Sequence, residues 1–207
     1  MIEHNASLTG LFPTPILTVK RPTPFTKKEL SFVVNQEIEF SKDNGISLSH
    51  SILDSTELLD LKSFCQTAVN LFTNQIYSST SDELDIGISW INSVPPDKHH
   101  GLHSHKNAII SGVYYFQNTK DCELFVQSPL VSRNVYDFSI YKENNHFNSE
   151  TFDLPVEENT LILFPGWLQH GVRTNTTTQT RYSIAFNTWF KKDSAYGFPF
   201  EKTFLRT

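Results

Sequence analysis

The chain has 207 residues, of which 38% are hydrophobic and 19% charged, and its formal net charge is -5. Its 17 phenylalanines exclude an intrinsically disordered chain, which lacks the apolar side chains that offset the entropy of ordering. The negative charge is unlike that of a dedicated nucleic-acid-binding protein, and no stretch approaches the roughly 20 apolar residues of a membrane-spanning helix.

The N-terminal part, residues 1–80, is predicted to be mainly helical. A short strand at 11–20 precedes helical patterns at 26–40 and 55–77, with a loop at 41–52 between them. In the first pattern, Thr26 and Glu29 have the spacing of a capping box. The second pattern carries an apolar stripe at three- and four-residue steps, made of Leu58, Leu61, Cys65, Ala68, Phe72 and Ile76. A helical pair of this length cannot bury its own stripe, so we expect it to pack on the outer face of a sheet.

The segment 81–192 is predicted to form a core of short strands. They are rich in Ile, Val, Phe, Tyr and Trp, are bounded by Pro, Gly and Asn, and lie at 86–94, 108–117, 122–127, 134–141, 160–164 and 181–190. Such a series favours a mainly β fold, a sandwich or barrel with a jelly-roll path. The polar residues 141–153 are predicted to form an insertion suited to a substrate lid. With a tail at 193–207, the length predicts a single domain, 1–207.

Two histidine-containing segments are candidates for a metal site. His103 and His105 form H-x-H, and in an extended chain their side chains point to one face about 6–7 Å apart, which suits two ligands of one metal. An isolated H-x-H is more often part of a polar surface loop. A second segment, LILFPGWLQH, ends at His170 and favours the metal interpretation.

The last predicted strand carries polar residues at alternate positions. Arg181, Ser183, Ala185 and Asn187 share one face. A buried arginine needs a compensating partner, and a small dicarboxylate would supply one through bidentate contacts. Alternation does not tell which face is inside, so an outward Arg181 paired with a surface acid stays open.

These segments together resemble the 2-oxoglutarate/Fe(II)-dependent oxygenases, and more narrowly a bacterial and phage branch of that superfamily. The resemblance rests on H-S-H at 103–105, S-G-V-Y-Y-F at 111–116, F-P-G-W-L-Q-H at 164–170 and R-Y-S-I-A-F-N at 181–187. It implies a double-stranded β-helix, or jelly roll, with the N-terminal helices packed on one sheet. It also implies a hydroxylase-type reaction on an unknown substrate.

The resemblance implies that Fe(II) is held by His103, His105 and His170. His105 departs from the family pattern, because most members carry Asp or Glu there, and a neutral imidazole leaves the site one unit more positive. Asp97 or His100 are alternatives for this ligand.

Four further residues are implied to bind 2-oxoglutarate as co-substrate. Arg181 matches the family's basic residue for the distal carboxylate, and Ser183 matches its hydroxyl companion. Tyr115 resembles a tyrosine that hydrogen-bonds the same carboxylate in prolyl-hydroxylase-like members. Asn92 matches an amide near the co-substrate, although a turn-capping role is as good an interpretation.

Two other classes of function stay open at this stage. A cupin-type metalloprotein shares the jelly roll and H-x-H, but the acid expected after H-x-H is missing from KNAIISG. A non-catalytic jelly-roll module for binding or structure would leave the histidines on the surface. Cys65 and Cys122 are far apart and outside any C-x-x-C, which predicts reduced thiols. The sequence thus predicts a cytoplasmic protein, in the host cytoplasm if phage-encoded. It predicts no membrane or nucleic-acid partner and is compatible with a homo-oligomer.

Overall fold

Two antiparallel sheets form the body of the protein in the computed structural model, which describes residues 7, 9–78, 83–117, 120, 122–130, 143, 145 and 147–191. The strands in chain order are β1 (Leu17–Lys20), β2 (Ile38–Phe40), β3 (Gly45–Ser47), β4 (Leu84–Val94), β5 (His100–His103), β6 (Ile110–Tyr115), β7 (Leu124–Gln127), β8 (Thr151–Leu154), β9 (Thr160–Pro165), β10 (His170–Val172) and β11 (Arg181–Phe190). The larger sheet has the order β1-β9-β6-β11-β4-β3-β2, and the smaller sheet β5-β10-β7-β8.

The two sheets pack face to face through alternate residues of their strands. Val113 and Ala185 of the larger sheet share one buried cluster with Leu124 and Val126 of the smaller sheet. Side chains of opposite parity point away from this layer, because successive residues of a strand alternate between faces. The mainly β jelly-roll architecture predicted from the sequence is therefore confirmed.

Two α-helices, α1 (Lys27–Val34) and α2 (Leu59–Tyr77), accompany the sheets, with a short 3-10 helix at Ile52–Asp54 between them. The capping box at the start of α1 is present: Glu29 N donates to Thr26 Oγ1 at 3.2 Å, and Thr26 N donates to Glu29 Oε2 at 2.6 Å. Together these bonds satisfy two backbone donors at the helix start.

The apolar stripe of α2 packs on the outer face of the larger sheet, as predicted. Leu58, Leu61, Cys65, Ala68 and Phe72 are buried in one cluster, which also contains Ile91, Ile110, Ile184 and Phe186 from the sheet. Ile76 does not belong to this contact, because it lies in the last turn of α2 and is 42% exposed. The predicted stripe is therefore one residue too long.

The predicted boundaries are wrong in the segment between the helices. The first helix ends at Val34 rather than residue 40, and Ile38–Phe40 forms β2. The predicted loop at 41–52 contains β3, which pairs with β2 and with β4. Residues 38–40 form a strand because apolar Ile38 and Phe40 flank the polar Glu39, an alternation with the period of a strand.

Three short strands of the smaller sheet, β5, β8 and β10, were not predicted. Thr151–Leu154 pairs with β7 as β8, so the prediction of an insertion over 141–153 is wrong for its last three residues. The predicted strand at 134–141 and the tail at 193–207 lie outside the described residues, and the single domain stays a prediction. Neither described α-helix combines the length and the hydropathy that a membrane crossing requires.

Candidate metal centre

Three histidines converge at one end of the smaller sheet. His103 ends β5 and lies opposite His170, the first residue of β10, in the antiparallel register. His105 follows two residues later, and one ring nitrogen from each of the three lies within 4.8 Å of the others. The ring centroids are 4.3 Å apart for His103 and His170, and 5.1 Å apart for each pair that includes His105. In the part of the chain that the structure describes, no other group of three potential ligands is found.

The backbone holds His105 against the turn that precedes His170. His105 N donates to the carbonyl oxygen of Gly166 at 2.8 Å, and Gly166 N donates to that of Ile109 at 3.0 Å. A Cβ on residue 166 would lie 2.3 Å from the carbonyl oxygen of Ala108, so only glycine permits this close approach. The Pro-Gly turn of the sequence motif therefore sets the distance between two of the three imidazoles.

Hydrogen bonds on the far side of the rings orient two of the imidazoles. Nδ1 of His103 donates to the carbonyl oxygen of Gly101 at 2.8 Å, and Nδ1 of His170 donates to that of Leu168 at 2.9 Å. A proton on Nδ1 leaves the lone pair on Nε2, which is the arrangement that a histidine ligand needs. The ring of His105 lies against Trp90 at a centroid distance of 5.6 Å.

Burial favours the neutral form of His105 and of His170. It lowers the pKa of His105 to about 4, with a further contribution from His103. It lowers the pKa of His170 to about 3, although the hydrogen bond to Leu168 opposes that shift. A neutral imidazole has a free lone pair, so His105 and His170 can bind a metal ion near pH 7 without first losing a proton.

The two alternatives to His105 occupy different positions. The ring of His100 stacks on His103, with centroids 4.3 Å apart and an angle of 19°, but it is not one of the three converging groups. Asp97 is exposed and has a positive φ of 60° in the turn before β5. The geometry therefore favours His105 as the third ligand.

A cavity of about 260 Å³ opens beside the three histidines, between the two sheets. One face of β11 lines it through Arg181, Ser183, Ala185 and Asn187. The opposite face of β11 contributes Ile184 and Phe186 to the cluster under α2. The question that alternation left open is thus answered, because Arg181 points into the cavity and is 5% exposed.

Three buried polar atoms at the Arg181 end of the cavity lack hydrogen-bond partners. Arg181 Nη1 donates to the carbonyl oxygen of Cys122 at 3.2 Å, whereas its Nε has no partner. The buried hydroxyls of Tyr115 and Ser183 also have none. The guanidinium carbon lies 5.1 Å from the centre of the Tyr115 ring. Burial raises the pKa of Tyr115, an effect that Arg181 opposes, so the phenol remains a donor.

Unpartnered buried donors usually cost about 1–3 kcal/mol each. Three of them together with a buried cation make a site for an anion with several acceptor oxygens. The fourth predicted residue, Asn92, lies in the same cavity, pairs with Ser183 across β4 and β11, and accepts a hydrogen bond from Trp90 Nε1 at 3.0 Å.

Two further histidines line the cavity: His50, which belongs to no sequence motif, and His100, which the sequence offered only as an alternative metal ligand. His50 lies after β3 and reaches the cavity from the edge of the larger sheet, where nothing in the local pattern distinguishes it. His100 lines the cavity beside His103. The pKa of His100 is lowered to about 4, mainly by burial. The spacing of three residues between His100 and His103 gives no sign that their rings stack.

Comparison with known families gives one match over the strand-rich part of the chain. The model of a family described as "Putative 2OG-Fe(II) oxygenase" matches residues 88–187, which are 100 of the 207 residues. This span contains all seven residues implicated above. Comparison with curated protein sequences gives no match.

Solved structures of similar fold include several oxygenases. An oxidoreductase of the 2OG-Fe(II) oxygenase family from Burkholderia pseudomallei is 16% identical with a TM-score of 0.56, covering 83% of each chain. HygX from Streptomyces hygroscopicus, with nickel, 2-oxoglutarate and hygromycin B bound, is 13% identical with a TM-score of 0.56 (84% of this chain, 82% of HygX). A prolyl-4-hydroxylase from Pseudomonas putida is 14% identical with a TM-score of 0.53 (86% and 92%). These TM-scores show that the proteins share a fold with this chain, and at identities this low they show nothing beyond the fold.

Proposed function

We propose that this chain, whose residues 88–187 match a 2-oxoglutarate/Fe(II) oxygenase family model, holds Fe(II) through His103, His105 and His170 and 2-oxoglutarate in the adjoining pocket. The proposal rests on one observation: a candidate metal site and a candidate carboxylate site lie in the same cavity. Three converging imidazoles lie at one end, and the buried, incompletely bonded Arg181 lies at the other. A dicarboxylate that reaches from one to the other satisfies both.

The donors at the Arg181 end fit a carboxylate in number and kind. The guanidinium offers Nε in addition to the Nη1 that bonds Cys122, while Tyr115 and Ser183 each offer a hydroxyl. We assign all three residues to the distal carboxylate of 2-oxoglutarate, with Asn92 beside it. The planar guanidinium fork matches the two oxygens of a carboxylate, which a lysine cannot do.

The histidine end fits a divalent transition metal. Imidazole nitrogen is a good ligand for Fe(II), and three protein ligands leave positions open for a chelating 2-oxo acid and for dioxygen. When bound, the metal and 2-oxoglutarate let dioxygen insert one atom into a substrate C–H bond, while the other atom oxidises the co-substrate to succinate and CO2. The protein's part is to fix the ligands and shape a cavity with apolar walls, here Val113, Leu124 and Val172.

The two cysteines fit a reducing compartment, which we propose is the cytoplasm. Cys65 and Cys122 are buried as free thiols, and burial raises the pKa of both, so they persist as unreactive core residues in a reducing compartment. A cytoplasmic location would keep Fe(II) reduced as well. The substrate class is left open at a hydroxylase-type reaction, with no membrane or nucleic-acid partner.

Calorimetric titration under argon tests the proposal. Mn(II) replaces Fe(II) because it is stable to oxidation, and 2-oxoglutarate and pyruvate are titrated into the loaded protein. We expect saturable binding of 2-oxoglutarate and much weaker binding of pyruvate, which has no distal carboxylate. Metal binding without affinity for 2-oxoglutarate would favour a cupin-type metal site, and the absence of both would favour a non-catalytic module. In air, the Fe(II)-loaded protein should release CO2 from 2-oxoglutarate.

A further inference from the structure

The candidate site contains positive charge but no acidic side chain among the described residues that line it. The three candidate ligands are imidazoles, which carry no negative charge, and the rest of the described lining is apolar, amide, hydroxyl or imidazole, with the single exception of Arg181. Arg181 has no ion-pair partner in the described part of the chain and bonds only a backbone carbonyl. The cavity therefore has a buried cation before any metal binds.

A divalent metal adds two further positive charges to the same cavity. Three neutral ligands leave the full charge of the ion in place, whereas an acid at position 105 would cancel one unit of it. Charges in a desolvated cavity interact strongly. Even at an effective dielectric constant near 20, a unit charge about 4 Å from a bound ion changes the binding constant of that ion by more than tenfold. In the protein without 2-oxoglutarate, the positive charge of Arg181 therefore opposes metal binding. The neutral side chain of His105 does not offset this repulsion as an acid would.

We infer that His105 strengthens the mutual dependence of metal binding and dicarboxylate binding. This inference rests on the proposed function. A dicarboxylate places one negative charge at the metal and the other at Arg181, so it cancels the charge of Arg181 and one of the two charges of the metal. The metal is held weakly without the dicarboxylate and tightly with it, and by linkage the dicarboxylate gains the same factor in affinity from the metal. An aspartate at 105 would cancel one unit of the metal's charge and so weaken this dependence.

The test measures Mn(II) affinity with and without saturating 2-oxoglutarate, following the EPR signal of free Mn(II). The ratio of the two affinities is the coupling factor. His105→Asn and His105→Asp are a matched pair, because the side chains have the same shape and differ by one charge. We expect wild type and His105→Asn to have coupling factors at least about tenfold larger than that of His105→Asp. We also expect His105→Asp to bind Mn(II) alone more tightly than His105→Asn does.

The outcomes separate this inference from the proposed function. Equal coupling in wild type and both variants would overturn the role of His105 and leave the co-substrate assignment intact. Mn(II) binding in wild type that 2-oxoglutarate does not strengthen would instead overturn the proposed function. Should either variant fail to bind Mn(II), glutarate decides the question on wild-type protein. It keeps both carboxylates and lacks the keto group, so it must also raise the Mn(II) affinity if charge is the cause, and no rise would contradict the inference.

Discussion

His103 and His170 lie directly opposite each other across the antiparallel pair of β5 and β10. Their ring centroids are 4.3 Å apart although the residues are 67 positions apart in the chain. The pairing register therefore creates the metal-binding geometry. Moving β10 by one residue would turn the His170 side chain to the other face of the sheet.

We predict one divalent metal ion per chain, bound by His103, His105 and His170. Each single replacement by Ala should remove most of the metal, because two imidazoles seldom hold a divalent ion through desalting. His99→Ala is the matched control, since His99 is an exposed neighbour in the same segment. Elemental analysis after Mn(II) loading with 2-oxoglutarate in the buffer measures the stoichiometry. Full metal retention in His105→Ala alone would show that another residue is the second ligand.

The structure brings the candidate site residues named from the sequence into one cavity, but two of the strands that carry them were not predicted. β5 and β10 have four and three residues and include His and Gly, so they lack the local propensity that marked β11. Their strand conformation comes from pairing with distant segments, which a local pattern cannot show. The inward face of β11 likewise became known only when Ile184 and Phe186 were found under α2.

The packing of α2 gives a stability prediction. Leu61 is fully buried against the larger sheet, so Leu61→Ala should lower the free energy of unfolding by about 2–5 kcal/mol. Ile76→Ala, in the same helix at an exposed position, should change it by less than about 0.5 kcal/mol. Urea unfolding followed by circular dichroism compares the two. Similar losses for both variants would contradict the assignment of the buried face.

The N-terminal segment should be needed for folding as a whole. Residues 1–80 supply β1, β2 and β3 of the larger sheet in addition to both helices. Their deletion would expose the buried cluster under α2 and remove one of the two neighbouring strands of β4 and of β9. We expect the shortened chain to aggregate. Recovery of a folded, metal-binding protein from it, judged by circular dichroism and elemental analysis, would contradict this prediction.

Two adjacent tyrosines should respond in opposite ways to loss of the hydroxyl. Tyr114 OH donates to Asn159 Oδ1 at 3.0 Å, whereas the buried hydroxyl of Tyr115 has no partner. Tyr114→Phe should cost about 0.5–1.5 kcal/mol of stability and leave 2-oxoglutarate binding unchanged. Tyr115→Phe should leave stability unchanged or raised and weaken 2-oxoglutarate binding by about tenfold. Thermal melting and calorimetry on both variants measure the two effects. Unchanged affinity in Tyr115→Phe would remove this residue from the co-substrate site.

Arg181 gives the sharpest test of the pocket, because its charge and its geometry can be changed separately. Arg181→Lys keeps the positive charge but loses the planar fork, and Arg181→Ala loses both. Arg173→Ala is the matched control, since Arg173 pairs with Asp153 at 2.7 Å and is not among the cavity residues. All three variants should first be checked for normal melting curves and metal content.

We predict that Arg181→Lys weakens 2-oxoglutarate binding to the Mn(II)-loaded protein by about tenfold and Arg181→Ala by about a hundredfold, with Arg173→Ala unchanged. The physical reason is that the guanidinium makes charged hydrogen bonds to the distal carboxylate, and Ala leaves that carboxylate buried without a cation. Pyruvate, which lacks this carboxylate, should bind all four proteins with similar, weak affinity. Anaerobic calorimetry at constant ionic strength measures these affinities. If Arg181→Ala bound 2-oxoglutarate as tightly as wild type, the distal carboxylate would have to lie elsewhere, and the unpartnered groups around Arg181 would need another ligand.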